Sequence, residues 1–274
     1  MITKEITGEG VGRFVKTLGN CVVLGDEGTR LWLFYVSVSV GGWSGSAINL
    51  TTSEDEGRTW TNPRRLVTSP FLNLSTLVKG PPFFFQDGAI GLPVYHEFIG
   101  KFGELLRLDR EGGVIYKRRL SWGRHSLQPV IVPITVKKAL GLMRYGGRSQ
   151  RRLLSFGTDN GGLTWSRPVK TGLPNPNSAV AAIRSSEGEL LLAYNNTERK
   201  RNDLSIAVSG DKVATWRLIH SFEREAVPKE GPIPSFSYPS VIRAKSGDFH
   251  LLYTWNKTRI KHVRFNRSWL EKML

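Results

Sequence analysis

Aromatic rings, side-chain amides and an imidazole near the ends of predicted strands could together bind a sugar. The residues are Tyr95, His96, Asn175, Asn177 and Trp255. Aromatic faces stack on sugar rings and amides hydrogen-bond sugar hydroxyls, and such side chains belong in loops held by a rigid scaffold. Tyr95 and Trp255 could equally be interior packing residues. We predict that all five bind substrate.

The composition excludes several classes of protein. The chain has 274 residues, of which 39% are hydrophobic, so it can bury a core and is not intrinsically disordered. Cys21 is the single cysteine, which excludes an intrachain disulfide and a cysteine-based zinc site. No apolar run reaches the roughly 18 residues of a membrane span, and no signal-peptide core follows Met1. As written the chain is expected to be cytoplasmic, or periplasmic or secreted if an N-terminal signal is missing.

The net charge of +16 invites a nucleic-acid interpretation, because lysine and arginine neutralise phosphates. The basic residues are nevertheless scattered in short groups, such as Arg64-Arg65, Lys137-Lys138 and Arg199-Lys200-Arg201, outside any recognisable nucleic-acid motif. We therefore expect a solvated basic surface and no nucleic-acid partner.

The elements that must position these side chains repeat at intervals of about fifty residues. Ser53–Trp60 recurs as Thr158–Trp165 and, more weakly, as Ser209–Trp216. Turn residues recur with the same spacing, and each turn precedes a run of strand-forming residues. These runs are Leu31–Val40, Ile90–Phe98, Leu140–Tyr145, Leu190–Tyr194 and Phe249–Trp255.

A repeat of this length with three or four strands predicts an all-β fold, a β-propeller. We expect about five blades in a single domain over residues 1–274. The predicted blades are residues 18–70, 72–123, 127–173, 177–225 and 238–270. The last blade lacks a fourth strand unless residues 5–16 supply it.

The Ser53–Trp60 unit predicts a loop that stabilises the fold. Its Asp55 can accept hydrogen bonds from nearby backbone N–H groups, Gly57 permits a positive φ, and Trp60 can pack between sheets. A calcium loop is the alternative, but the unit offers too few oxygen ligands. We expect no metal and no cofactor.

These units resemble the Asp-boxes (BNR repeats) of the sialidase, or neuraminidase, superfamily. Residues 20–60 and the stretches Gly91–Phe98, Leu173–Asn177 and Tyr253–Asn256 are similar to its bacterial sialidase-like branch. The resemblance covers nearly the whole chain. It implies a six-bladed propeller, a member that begins about one blade earlier than this chain, and a sialic-acid-like or other anionic glycan as ligand.

The resemblance also implies site residues. Arg144 and Arg201 match two of three family arginines that bind the substrate carboxylate, for which a planar guanidinium is suited. Tyr238, in Ser237-Tyr-Pro-Ser-Val241, matches the family's tyrosine nucleophile. The glutamate that activates this tyrosine is replaced by Gln128, and an amide cannot accept the phenol proton.

Glu97 and Glu104 are the nearest acidic residues that could replace this base. The alternative is that they are surface carboxylates paired with Lys101 or Arg107. The family's first arginine and its general-acid aspartate have no counterpart, since Asp26 and Asp55 belong to turns.

Three functions follow. The first is a retaining glycoside hydrolase of exo-α-sialidase type, inactive here if the missing acid lies in an absent blade. The second is a non-catalytic carbohydrate-binding propeller with a degenerate active site. The third is a scaffold or nucleic-acid-associated propeller, which only the charge favours.

Overall fold

The computed structural model describes residues 2–69, 73–210 and 215–274. Within these ranges the chain forms five antiparallel sheets, two short α-helices and a 3-10 helix at Trp43–Gly45. The sheets follow one another along the sequence, and most strands pair with their neighbours in the chain. Sequence-local pairing of this kind agrees with the repeat seen in the sequence.

The first two sheets occupy the N-terminal half. Sheet 1 follows a helix and has the order β1-β2-β3-β4, and sheet 2 has the order β5-β7-β8-β9 with β6 paired to β7. The elements are α1 (Lys4–Val11), β1 (Thr17–Gly25), β2 (Leu31–Val38), β3 (Ser46–Ser53), β4 (Arg64–Arg65), β5 (Thr76–Val78), β6 (Phe83–Phe84), β7 (Ile90–His96), β8 (Phe102–Leu108) and β9 (Val114–Arg119).

The remaining three sheets complete the chain. Sheets 3 and 4 have four strands each in sequence order, and sheet 5 has the order β18-β19-β20. The elements are β10 (Ser126–Pro133), β11 (Ala139–Tyr145), β12 (Arg152–Thr158), β13 (Val169–Pro174), β14 (Ala181–Arg184), β15 (Leu190–Tyr194), β16 (Asp203–Ser209), β17 (Arg217–Arg224), β18 (Phe236–Arg243), β19 (Phe249–Trp255), β20 (Arg259–Phe265) and α2 (Arg267–Met273).

The chain divides into two compact units, Met1–Pro129 and Val130–Leu274, each with buried apolar residues. In the first unit, Trp32 and Phe34 of β2 pack with Leu92 of β7. In the second, Phe236 and Tyr253 belong to one cluster, and a second cluster lies around the strands of sheets 3 and 4. The single domain predicted over residues 1–274 stays a prediction.

Each of the five predicted strand runs coincides with an observed strand, but β2 and β7 end two residues before the predicted Val40 and Phe98. The helices α1 and α2 were missed. Residues 5–16 do not supply a strand, because Lys4–Val11 is the helix α1. Thr3 caps it by accepting a hydrogen bond from the Ile6 N–H, and Gly12 ends it in the left-handed conformation. Cap signals of this kind were present in the sequence. Asn266 caps α2 in the same way, through the Trp269 N–H.

The predicted hydrogen bonds of Asp55 and the positive φ of Gly57 in the Ser53–Trp60 unit are confirmed. Asp55 accepts hydrogen bonds from the Thr59 N–H at 2.8 Å and from Ser53 Oγ at 2.7 Å, and Gly57 has a φ of 87°. In the second unit Asn160 takes the place of Asp55, and its Oδ1 accepts from the Thr164 N–H at 3.0 Å. The third unit, Ser209–Trp216, lies partly outside the described residues.

We predict that Asp55→Asn removes part of the acid sensitivity of folding. Hydrogen bonds from Thr59 and Ser53 lower the pKa of Asp55 to about 2. A depressed folded-state pKa contributes stability at neutral pH that is lost as the pH falls from about 4 towards 2. Asparagine keeps the acceptor, as at Asn160, but does not titrate. Urea melts between pH 5 and pH 2 should therefore fall less steeply for Asp55→Asn, and identical pH profiles would contradict the prediction.

Candidate functional site

The topology brings every predicted site residue to the same end of its own sheet. We define the upper end of a sheet as the end at which its first strand begins; the second strand runs back to it. Four of these residues lie at the ends of second strands: Tyr95 and His96 in β7, Arg144 in β11 and Trp255 in β19. Two lie near the starts of first strands, Gln128 in β10 and Tyr238 in β18. Glu97, Glu104, Asn175, Asn177 and Arg201 lie in or beside the connections at upper ends. The Asp-box units follow third strands and lie at lower ends.

A residue in the left-handed backbone conformation marks the start of each sheet's first strand. These residues and their φ angles are Asn20 (45°), Ser75 (60°), Gln128 (54°), Asn177 (57°) and Tyr238 (55°). This conformation is costly for residues other than glycine and is concentrated at functional sites. In β1 and β18 it coincides with a shift in strand register. Three of the five residues were predicted from the sequence, and Asn20 and Ser75 were missed.

In the first unit the hydroxyl of Tyr95 receives two amide hydrogen bonds. Asn20 Nδ2 donates at 3.0 Å and Gln128 Nε2 donates at 3.2 Å. Both Tyr95 and Gln128 are buried. Tyr95 therefore joins the starts of β1 and β10 through its hydroxyl, and its ring is not open to stack on a sugar.

A pocket of about 340 Å³ lies at the upper end of sheet 2. His96, Phe102, Glu104, Lys117 and Arg119 are among its lining residues. The His96 and Phe102 rings stack with centroids 4.8 Å apart, and Glu104 Oε1 lies 3.7 Å from Lys117 Nζ. Two of the predicted site residues therefore share one pocket with two cations.

Burial controls the protonation of this pocket. It raises the pKa of the Glu104 carboxyl, against the opposing effect of Lys117 and Arg119. Burial and the same two cations lower the pKa of His96. A carboxyl with a raised pKa beside a neutral imidazole can exchange protons closer to neutral pH, as acid–base groups in active sites do.

The alternative pairings expected for the two glutamates are wrong. Glu104 pairs with Lys117, not with Lys101 or Arg107, and Arg107 pairs with Asp87. Glu97 lies outside the pocket lining, and its N–H donates to Ser75 Oγ at 2.9 Å. The geometry therefore favours Glu104 over Glu97 as the carboxyl group that could transfer protons.

In the second unit Arg201 lies beside Tyr238. Arg201 Nη2 donates to the Asn177 carbonyl at 2.8 Å, and its guanidinium carbon is 5.7 Å from the Tyr238 ring centroid. The Arg201 carbonyl accepts from the Phe236 N–H at 2.7 Å, which holds the loop against the start of β18. Tyr238 is 42% exposed, so its phenol can reach a ligand.

Asn177 completes this cluster. Its Oδ1 is buried and has no hydrogen-bond donor among the residues that the structure describes. Buried acceptors in native proteins are normally satisfied by a protein group, a water or a ligand. This amide oxygen, beside Arg201, keeps the capacity to accept one further hydrogen bond from a water or a ligand hydroxyl.

Asn175 and Trp255 are already engaged with the protein. The Asn175 amide is buried, donating to the Ser178 carbonyl at 2.9 Å and accepting from the Ser178 N–H at 3.1 Å. The guanidinium of Arg259 covers one face of Trp255 at 4.3 Å. The Asn175 amide thus stabilises the turn before β14, and its substrate-binding role stays a prediction. Arg144 is partly exposed near the end of β11.

Residues 2–251 match the family model described as a BNR repeat-like domain. The match covers most of the chain. The chain belongs to this family. The likeness to sialidases with Asp-box repeats, expected from the sequence, is thereby confirmed at the level of the superfamily. No curated protein sequence matches the chain significantly.

Solved sialidase structures share the fold of this BNR repeat-like domain. The Hadza microbial sialidase Hz136 superposes with a TM-score of 0.72 at 18% identity, covering 92% of this chain and 53% of its own. Trypanosoma rangeli sialidase gives 0.70 at 15% identity, covering 93% and 46%. The leech intramolecular trans-sialidase complexed with 2,7-anhydro-Neu5Ac gives 0.64 at 17% identity, covering 84% and 38%. The chain thus spans about half the length of these proteins or less.

These matches confirm the predicted fold class, an all-β propeller of sialidase type, with the five described sheets of this BNR repeat-like domain as blades.

In the part of the chain that the structure describes, no helix is long and apolar enough to cross a membrane. Ser75 and Asn20 could have been found in the sequence, because they precede Gln128 by roughly one and two repeats of about fifty residues.

Proposed function

We propose that this BNR repeat-like domain takes part in sialidase-type hydrolysis of a terminal anionic sugar. The observation that carries the proposal is Arg201, held beside the exposed phenol of Tyr238 at the upper end of its sheets. A fixed cation next to a reachable nucleophile is what attack on an anionic glycoside requires.

The proposed reaction has two displacements at one carbon. Tyr238 Oη loses its proton to a base and attacks the anomeric carbon. The bond to the leaving oxygen breaks, its electron pair stays on that oxygen, and an acid protonates it. Water then displaces the tyrosine and returns the phenol. Two inversions retain the configuration of the sugar.

Arg201 and Arg144 are the proposed ligands of the sugar carboxylate. A guanidinium presents two parallel N–H donors that match a carboxylate, and it remains charged at any working pH. Arg201 already donates to the Asn177 carbonyl through Nη2, so its remaining N–H groups are the ones available to a ligand. Asn177 Oδ1 is the proposed acceptor for a sugar hydroxyl.

Glu104, which lies in the first unit, is proposed as a proton-transfer group of the pocket that it lines in that unit. Its raised pKa suits a carboxyl that must be protonated in one step and ionised in another, and the lining of its pocket by His96, Lys117 and Arg119 supports a polar ligand there. Gln128 takes no proton in this scheme, because its amide is neutral and donates to Tyr95.

The second candidate is a non-catalytic carbohydrate-binding domain. The hydrogen bond of Gln128 to Tyr95 favours it, because an amide occupies the position where the family resemblance implies a catalytic base. Binding of sialic acid without turnover of a fluorogenic α-sialoside would support this alternative over hydrolysis.

The test of the carboxylate-binding role is Arg201→Lys. A lysine is a single point charge without the fork, so we expect sialic-acid binding, or KM for an α-sialoside, to weaken by roughly tenfold or more. Arg199→Lys is the matched control, since Arg199 is exposed in the same loop. Calorimetric titration and steady-state kinetics measure the two quantities. Equal effects of the two substitutions, or none at Arg201, would count against the assignment.

A further inference from the structure

Three large apolar side chains stand in solvent at the upper end of sheet 2. Phe98 is 57% exposed, Ile99 is 71% exposed and Trp122 is 74% exposed. Phe98 and Ile99 lie in the connection between β7 and β8, and Trp122 lies between β9 and β10. Single exposed apolar residues are ordinary on protein surfaces. Three of them on adjoining connections form an exposed apolar patch, which is typical of a binding surface.

Backbone hydrogen bonds and an arginine hold the two connections side by side. The Ser126 N–H donates to the Lys101 carbonyl at 3.0 Å, and the Leu120 N–H donates to the Gly103 carbonyl at 2.9 Å. The Arg119 guanidinium carbon lies 3.9 Å from the Phe102 ring centroid and 5.3 Å from that of Trp122.

Cations surround the apolar side chains. Lys101 and Arg119 flank them, and the Arg124 side chain packs along Gly100, between Ile99 and Lys101 in the sequence. None of the salt bridges among the described residues includes Lys101, Arg119 or Arg124. Among the described residues, no carboxylate within salt-bridge distance neutralises these three charges, although Arg119 also acts on the Glu104 carboxyl. We call Phe98, Ile99, Lys101, Arg119, Trp122 and Arg124 the loop patch.

We propose that the loop patch docks the protein on lipid bilayers that contain anionic lipids. Anionic headgroups attract lysine and arginine close to the surface, while aromatic and aliphatic tips enter the boundary between headgroups and acyl chains. The patch offers both interactions on exposed connections at one end of sheet 2, where Phe98, Ile99 and Arg119 also line the pocket of His96 and Glu104. Docking through this patch orients the upper end of sheet 2, with the pocket of His96 and Glu104, towards the membrane.

The experiment is vesicle flotation with the full chain. Vesicles of phosphatidylcholine alone are compared with vesicles that also contain phosphatidylglycerol, at low and high salt. We expect binding to the anionic vesicles only, and a partition about thirtyfold weaker after the double substitution Arg119→Gln with Arg124→Gln. Phe98→Ser with Trp122→Ser should abolish the binding that survives at high salt, because it removes the apolar contribution.

Matched controls come from the lower ends of sheets. Val136 and Leu163 are 64% and 60% exposed, and Arg58 and Arg217 are exposed arginines. Val136→Ser with Leu163→Ser, and Arg58→Gln with Arg217→Gln, should leave vesicle binding unchanged. Far-ultraviolet circular dichroism and thermal melts check that each variant is folded. A blue shift of emission on anionic vesicles that Trp122→Phe removes would support insertion independently.

Four outcomes would overturn the proposal. The first is that the unaltered chain does not bind vesicles, and the second is that the patch and control arginine variants lose vesicle binding equally. The third is that Phe98→Ser with Trp122→Ser leaves vesicle binding unchanged. The fourth is that the patch variants lose binding to a soluble glycan or an RNA oligonucleotide while their vesicle binding persists. The second outcome would mean that the net charge of +16 acts without a defined surface.

Discussion

Tyr238→Phe should reduce turnover of a fluorogenic α-sialoside by about a thousandfold or more while leaving the fold intact. Phenylalanine removes only the hydroxyl that the proposed reaction uses to form the bond to the anomeric carbon. Tyr238 is 42% exposed, and the pairing of β18 with β19 runs through backbone groups on both sides of it. Steady-state kinetics at saturating substrate measure the effect on kcat.

Tyr116→Phe is the control for this prediction. Tyr116 lies within β9, next to Arg118 and Arg107, and carries no proposed role. Its activity should match that of the unaltered chain. Turnover that survives in Tyr238→Phe would exclude Tyr238 as nucleophile. If the unaltered chain binds sialic acid but hydrolyses no substrate, the non-catalytic alternative replaces the hydrolase, and Tyr238→Phe should then alter binding only slightly.

Asp203→Ala should lower the free energy of unfolding by about 2–4 kcal/mol. Asp203 is buried at the start of β16, and its carboxylate accepts from Ser205 Oγ at 2.6 Å, the Asn196 N–H at 3.1 Å and Arg224 Nε at 3.1 Å. Alanine leaves the Asn196 N–H and the Ser205 hydroxyl without this acceptor. Urea denaturation should show a lower midpoint with an unchanged slope.

The loop that carries Arg201 lies between Asn196 and Asp203, so Asp203→Ala should also weaken sialic-acid binding. Asp203→Asn keeps the shape and one acceptor and should give an intermediate loss. Asp159→Ala, at an exposed position in an Asp-box unit, should change stability by no more than about 0.5 kcal/mol. A stability of Asp203→Ala equal to that of Asp159→Ala would show that the hydrogen bonds of Asp203 contribute nothing net.

The sequence determined the repeat, and through it the fold class. Alternating apolar residues and turn residues are local signals. The hydrogen bonds of an Asp-box are also local, because in the described part of the chain Asp55 bonds within Ser53–Thr59. The family resemblance could therefore be recognised from the same motifs. Helices α1 and α2 were not predicted from the sequence, because each is short. The signal of each helix lies in one cap residue, Thr3 or Asn266, rather than in a long periodic pattern.

Which candidate side chains are available to a ligand depends on how the strands pack. In the sequence Asn175 and Asn177 are equivalent candidates two positions apart. In the structure the Asn175 amide makes two hydrogen bonds with Ser178, whereas Asn177 Oδ1 has no hydrogen-bond partner among the described residues. Glu97 and Glu104 differ in the same way, since only Glu104 enters the pocket of His96.

The physical reason is that burial and hydrogen bonding depend on residues distant in the chain. The Tyr95 hydroxyl accepts hydrogen bonds from Asn20, far before it in the chain, and from Gln128, well after it. The pKa of Glu104 depends on its burial in sheet 2 and on the cations that surround it there. Periodicity in the sequence specifies strands and turns, but the partners of a polar side chain exist only once the strands have paired and packed.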